Sequence, residues 1–193
     1  MLAIKRRILR ALALLLTVCA CVCSSGCIGK ALAEGVGKDI RENSNFDFGF
    51  LQKVTSETSF EDCFVVPGFG ITGYVPKKYG ENYDTDEIPL HVQYSVSNWR
   101  DALSGEKRVT SIDCYDSFYT LYGLKIGDTY ALWEQVLNEN GFKLNSNENN
   151  GFNGTGTQRF YKHGIRINVN AREGEVVSFS LYAESTNLGG IVY

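Results

Sequence analysis

The chain has 193 residues, with 19 basic and 22 acidic side chains, a formal net charge of −3, 44% apolar residues and 12% aromatic ones. That apolar and aromatic content, with only three prolines, speaks against a disordered chain. The acidic balance speaks against a nucleic-acid partner, whose phosphates demand neutralisation.

The first predicted element is a leader. Lys5, Arg6, Arg7 and Arg10 precede an apolar run from Ala11 to Cys23, and Ser24, Ser25 and Gly26 close it. A basic head, an apolar middle and a small-residue exit describe an export signal. The run is shorter than the roughly 20 residues that a transmembrane helix needs. The exit "SSGC" resembles a bacterial lipobox, in which the cysteine is acylated and becomes the first mature residue. Gly26 fits the position before that cysteine, while Ser24 stands where the family usually has an aliphatic residue. The resemblance implies lipidation of Cys27. A second fit, "VCAC", has Val18 and Ala20 in the flanking positions and makes Cys21 the alternative. An ordinary cleaved leader with incidental cysteines is the remaining alternative.

Residues 1–26 are therefore read as a lipoprotein signal peptide. Their removal leaves 15 basic residues against 22 acidic ones, a formal charge of −7. Membrane attachment then comes from acyl chains and not from a basic patch. The expected location is the outer face of a bacterial cytoplasmic membrane, or an outer membrane where the cell has one.

Residues 27–58 lack sustained periodicity and read as a tether, with a short helix near Phe48–Val54 the one candidate element. Residues 59–193 are long enough for a single α+β domain. In "LHVQYSVSNW", Leu90, Val92, Tyr94 and Val96 alternate with polar residues, and "VTSIDCYDS" follows after a loop. These make a hairpin over about 88–116. Asp128 is a candidate N-cap for a helix over about 128–140, which Gly141 stops. Tyr130, Trp133, Val136 and Leu137 share its apolar face. A polar, Gly-rich loop leads to a second hairpin over about 160–185. There Ile165, Ile167 and Val169, and then Val177, Phe179 and Leu181, point inward. "VTSIDCYDS" aligns without gaps on "VVSFSLYAES", which predicts an antiparallel sheet of two similar hairpins packed against the helix.

The stretch "GLKIGDTYALWEQVLNENGF", followed by "YKHGIRINVNAREGEVVSFSLY", resembles a helix-then-hairpin unit of small bacterial envelope proteins. These are the β-lactamase-inhibitor-protein-like and outer-membrane-assembly-lipoprotein-like group. Gly123, Gly127, Asp128 and Thr129 supply its start, and the match covers 118–185. The resemblance implies an envelope lipoprotein and carries over no binding residue.

No catalytic constellation stands out, and neither a cofactor nor a metal is expected. His91 and His163 lack partners at metal-ligand spacing. Asp84, Asp86 and Glu87 lack the glycine and distal glutamate of a calcium loop. "GFNGTGT" lacks the lysine of a phosphate loop. Cys63 and Cys114 both sit in apolar surroundings, and two readings stay open: one disulfide, or two buried thiols. The expected function is non-catalytic binding of another envelope protein, with a small-ligand or cell-wall glycan binder and a small secreted hydrolase as alternatives. Alternation sends His91, Gln93, Asp113, Tyr115, Arg166 and Tyr182 to one polar sheet face, and Tyr115, Tyr182, Asp113 and Arg166 are the candidate protein-binding residues.

Overall fold

The computed structural model describes residues 28–55, 58, 60–67, 72–77, 91–98, 106–145 and 152–184. The leader with Cys21 and Cys27, and the acidic turn of Asp84, Asp86 and Glu87, lie outside the described residues.

The strands are β1 (Cys63–Pro67), β2 (Thr72–Pro76), β3 (Val92–Asn98), β4 (Lys107–Cys114), β5 (Lys143–Leu144), β6 (Gly156–Lys162), β7 (Ile165–Arg172) and β8 (Glu175–Ala183). Helix α1 covers residues 28–42, and α2 covers Tyr130–Glu139. All eight strands form one antiparallel sheet in the order β1-β2-β3-β4-β8-β7-β6-β5. Each half is thus a four-strand meander, and the halves meet where β4 pairs with β8.

The turn between β7 and β8 is Glu173–Gly174, both at positive φ (54° and 84°), the mirror-image turn that matches strand twist. His163 and Gly164 (φ 48° and 77°) make the same kind of turn between β6 and β7, so His163 lies outside the strands.

Apolar side chains of one sheet face form the core. Val92, Tyr94, Ile112, Phe160, Ile165, Ile167, Val169, Phe179 and Leu181 are all buried there. Trp133 of α2 packs on Phe179 with ring centroids 4.8 Å apart. Thr129, not Asp128, caps α2: its Oγ1 accepts from Leu132 N at 3.4 Å. Asp128 Oδ2 instead accepts from Lys125 N at 2.8 Å, closing the preceding turn. At the other end Gly141 adopts φ 80°, and Phe142 N donates back to Leu137 O at 3.0 Å.

The tether reading of residues 27–58 does not fit what is described there. Residues 28–42 are helical, and Ala33, Val36 and Ile40 are buried in the same core as the strands. Gly37 lets Leu51 approach closely: a Cβ at Gly37 would meet Leu51 Cδ1 at 2.8 Å. The short helix near Phe48–Val54 is absent, since these residues form turns and a bridge to β4.

Both hairpins carry a bulge. Thr110 is the extra residue opposite Ser95 and Val96, and Val177 is the extra residue opposite Asn170 and Ala171. The bulge reverses the expected inward residue: Val176 is buried and Val177 is 42% exposed. The strand starts are also flanked alike. Leu51 N donates to Val109 O, Val109 N to Gln52 O and Val54 N to Lys107 O. Gly127 N donates to Val176 O, Val176 N to Asp128 O and Tyr130 N to Gly174 O. Leu51 has φ 58° where the other half has Gly127 at φ 94°. A buried leucine in the left-handed region is costly for a branched side chain.

Candidate functional site

The two strands at the centre of the sheet, β4 and β8, place the candidate residues. Ser111 pairs with Tyr182 and Asp113 with Ser180, while β7 sets Arg166 opposite Tyr182 on the other side. Asp113, Arg166 and Tyr182 therefore meet on the face opposite the core, as alternation requires. Tyr115 lies just past β4, its N–H donating to His91 O at 2.9 Å.

Asp113 is the hub. Tyr182 Oη donates to Asp113 Oδ1 at 2.7 Å, and Ser111 Oγ donates to Oδ2 at 3.2 Å. The Arg166 guanidinium sits 4.8 Å from the Tyr182 ring centroid, a cation–π contact, and Nη1 reaches Glu184 Oε1 at 3.4 Å. Burial pushes the Tyr182 hydroxyl up to about 12, and its donation to the Asp113 carboxylate adds to the shift. Burial also raises Tyr115, with the nearby Asp113 charge acting in the same sense. Both phenols are thus neutral donors at physiological pH.

The surroundings are small. Ser95, Ser111, Ser178 and Ser180 have 6–8% of their surface exposed, so the taller residues stand over a low floor. Asn170 Nδ2 donates to Ser178 Oγ at 2.8 Å, which fixes the floor near β6. Arg166 Nε and Asn168 Oδ1 are buried without a hydrogen-bond partner among the described residues. Tyr115, by contrast, is 42% exposed.

One residue escaped the sequence reading. Phe118, 63% exposed, lies in the loop that follows β4, only a few positions beyond Tyr115. Its N–H donates to Asp116 Oδ1 at 2.9 Å, and its carbonyl accepts from Asn45 Nδ2 at 3.0 Å, so the loop is well held. Its only sequence signal was an aromatic outside any period.

His91 Nδ1 lies 2.7 Å from Asp116 Oδ2, which ties the start of β3 to this loop. No group of three or more metal-ligating side chains occurs among the described residues.

Cys63 and Cys114 are both buried thiols and form no disulfide with each other. Cys63 is in β1 and Cys114 in β4, with β2 and β3 between them. Three strand spacings of about 4.8 Å separate them, against the roughly 7 Å limit for a bridge. Burial pushes the Cys114 thiol up to about 12, so it is neutral and unreactive at physiological pH.

No family model matches the chain, and no curated protein or solved structure matches it significantly.

Proposed function

We propose that the protein is an exported lipoprotein of the bacterial envelope, anchored through Cys27 (Cys21 being the alternative), that binds another envelope protein without catalysing a reaction. The observation that carries the binding reading is the centre of the polar sheet face. An exposed tyrosine and a fixed Asp113–Tyr182–Arg166 cluster stand over a floor of small serines. Rigid aromatics with a polar tip lose little entropy on contact and are enriched among interface hot spots.

The leader's composition and the "SSGC" exit support the anchor. The likeness of residues 118–185 to the β-lactamase-inhibitor-protein-like and outer-membrane-assembly-lipoprotein-like group supports an envelope role. We read the two hairpins as copies of one unit. Aligning Val109–Tyr115 with Val176–Tyr182 places bulge residue Thr110 on bulge residue Val177 and Asp113 on its own cross-strand partner, Ser180. A two-fold axis through that pair would exchange Tyr115 with Tyr182. Helix α2 directly follows the flanking segment in the second half, and no helix follows its counterpart among the described residues of the first.

The test is capture of the partner from the cell's own envelope extract. Tyr115→Ala is expected to weaken capture by about 2 kcal/mol, roughly 30-fold, with an unchanged melting temperature. Tyr182→Phe keeps the ring under Arg166 while removing the bond to Asp113, and it should weaken capture less. Undiminished capture by Tyr115→Ala would remove this face from the binding reading.

A further inference from the structure

Helix α1 changes character along its exposed side. Its buried side is Ala33, Val36, Gly37 and Ile40. Its exposed side begins with Ile28 (59% exposed), Ala31, Leu32 (45% exposed) and Gly35. That side then continues with Lys38 and Glu42, which pair at 3.6 Å. The first two turns therefore show bare aliphatic surface, and the following turns are charged.

The residue before this helix is Cys27, which directly follows the leader. On the lipoprotein reading, which this inference rests on, Cys27 carries the acyl chains. No spacer intervenes between that anchor and a helix already packed into the core. At 1.5 Å per residue, Leu32 lies about 6 Å along the helix from Ile28, the neighbour of that anchor in sequence. Amphipathic helices bury their apolar side about 5–10 Å into the boundary between headgroups and acyl chains.

We propose that the exposed apolar start of α1 docks on the phospholipid surface, with Ile28, Ala31 and Leu32 in the interface and Lys38 and Glu42 outside it. The contact is aliphatic, as suits a mature chain of net acidic charge. Glu34 Oε1, also on α1, is 3.0 Å from Arg108 Nη2 of β4. Seating the helix therefore seats the sheet, and the domain rests on the bilayer instead of swinging from a linker.

The test uses full-length protein processed in bacteria and reconstituted into phosphatidylglycerol–phosphatidylethanolamine vesicles. Ala31→Cys, Leu32→Cys and Glu42→Cys are labelled with a fluorophore; Cys63 and Cys114 are buried and compete little for it. Labels at 31 and 32 are expected to lose most of their emission to a nitroxide lipid and little to iodide, and the label at 42 the reverse. Labels at 31 and 32 that behave like the one at 42, with an acylated Cys27 confirmed by mass spectrometry, would overturn the docking and leave the anchor standing. Shielding from iodide without nitroxide quenching would assign the patch to a second copy of the chain and also overturn it. A mature N-terminus without lipid would remove the lipoprotein reading itself, and the docking with it.

Discussion

Trp133→Ala is expected to lower the unfolding free energy by about 3–5 kcal/mol, measured by denaturant melts. The indole is completely buried, lies against Phe179 at 4.8 Å, and donates from Nε1 to Lys125 O at 3.2 Å. Its loss opens a cavity between α2 and the sheet and orphans that carbonyl. Gln135, two positions on, faces solvent and donates from Nε2 to Glu139 Oε1 on the same helix, at 2.9 Å. Gln135→Ala should therefore change stability by no more than about 0.5 kcal/mol. Equal effects would mean that α2 presents a different face to the sheet.

The second large effect concerns the segment ahead of β1. Ile40 is completely buried in α1, and its truncation to alanine should cost about 2–5 kcal/mol. The segment after α1 is bound to the core as well. Tyr94 Oη accepts from Asp47 N at 3.0 Å, and Tyr119 Oη donates to the Asp47 carboxylate. Arg41 Nη1 donates to Phe50 O at 2.6 Å, which joins the helix to that segment. A chain beginning at residue 59 should consequently fail to fold as a cooperative unit. A sharp melting transition from that shortened chain, or a neutral Ile40→Ala, would return residues 28–58 to the role of a tether.

The hairpins and α2 were legible because their apolar residues keep periods of two and 3.6 on half-exposed elements. Helix α1 was hidden by Gly29, Gly35 and Gly37. Each glycine lowers helix propensity by about 1 kcal/mol relative to alanine, and the buried stripe of Ala33, Val36 and Gly37 is too small to read as apolar. Strands β1 and β2 end in proline, and "CFVVP" has no alternation to display. In β6 the inward position of Gln158, 3% exposed, breaks the pattern that Phe160 continues. Bulges are local register changes that binary patterning does not encode, so Val177 was placed on the wrong side.

For the candidate site, alternation was enough to gather Asp113, Tyr115, Arg166 and Tyr182 on one face. The bond from Tyr182 to Asp113 was not legible. It requires β4 beside β8, a pairing between strands far apart in the chain that no local pattern specifies. The separation of Cys63 from Cys114 was hidden for the same reason.

The most direct measurement is photo-crosslinking in intact cells, with a photoreactive amino acid in place of Tyr115 and, separately, of Leu132. Leu132 is also 42% exposed but lies on α2, on the core side of the sheet. A discrete adduct with one envelope protein from position 115, and none from 132, is the expected result. Adducts from position 132 alone, or none from 115 while the protein resides in the envelope, would contradict binding through the polar sheet face.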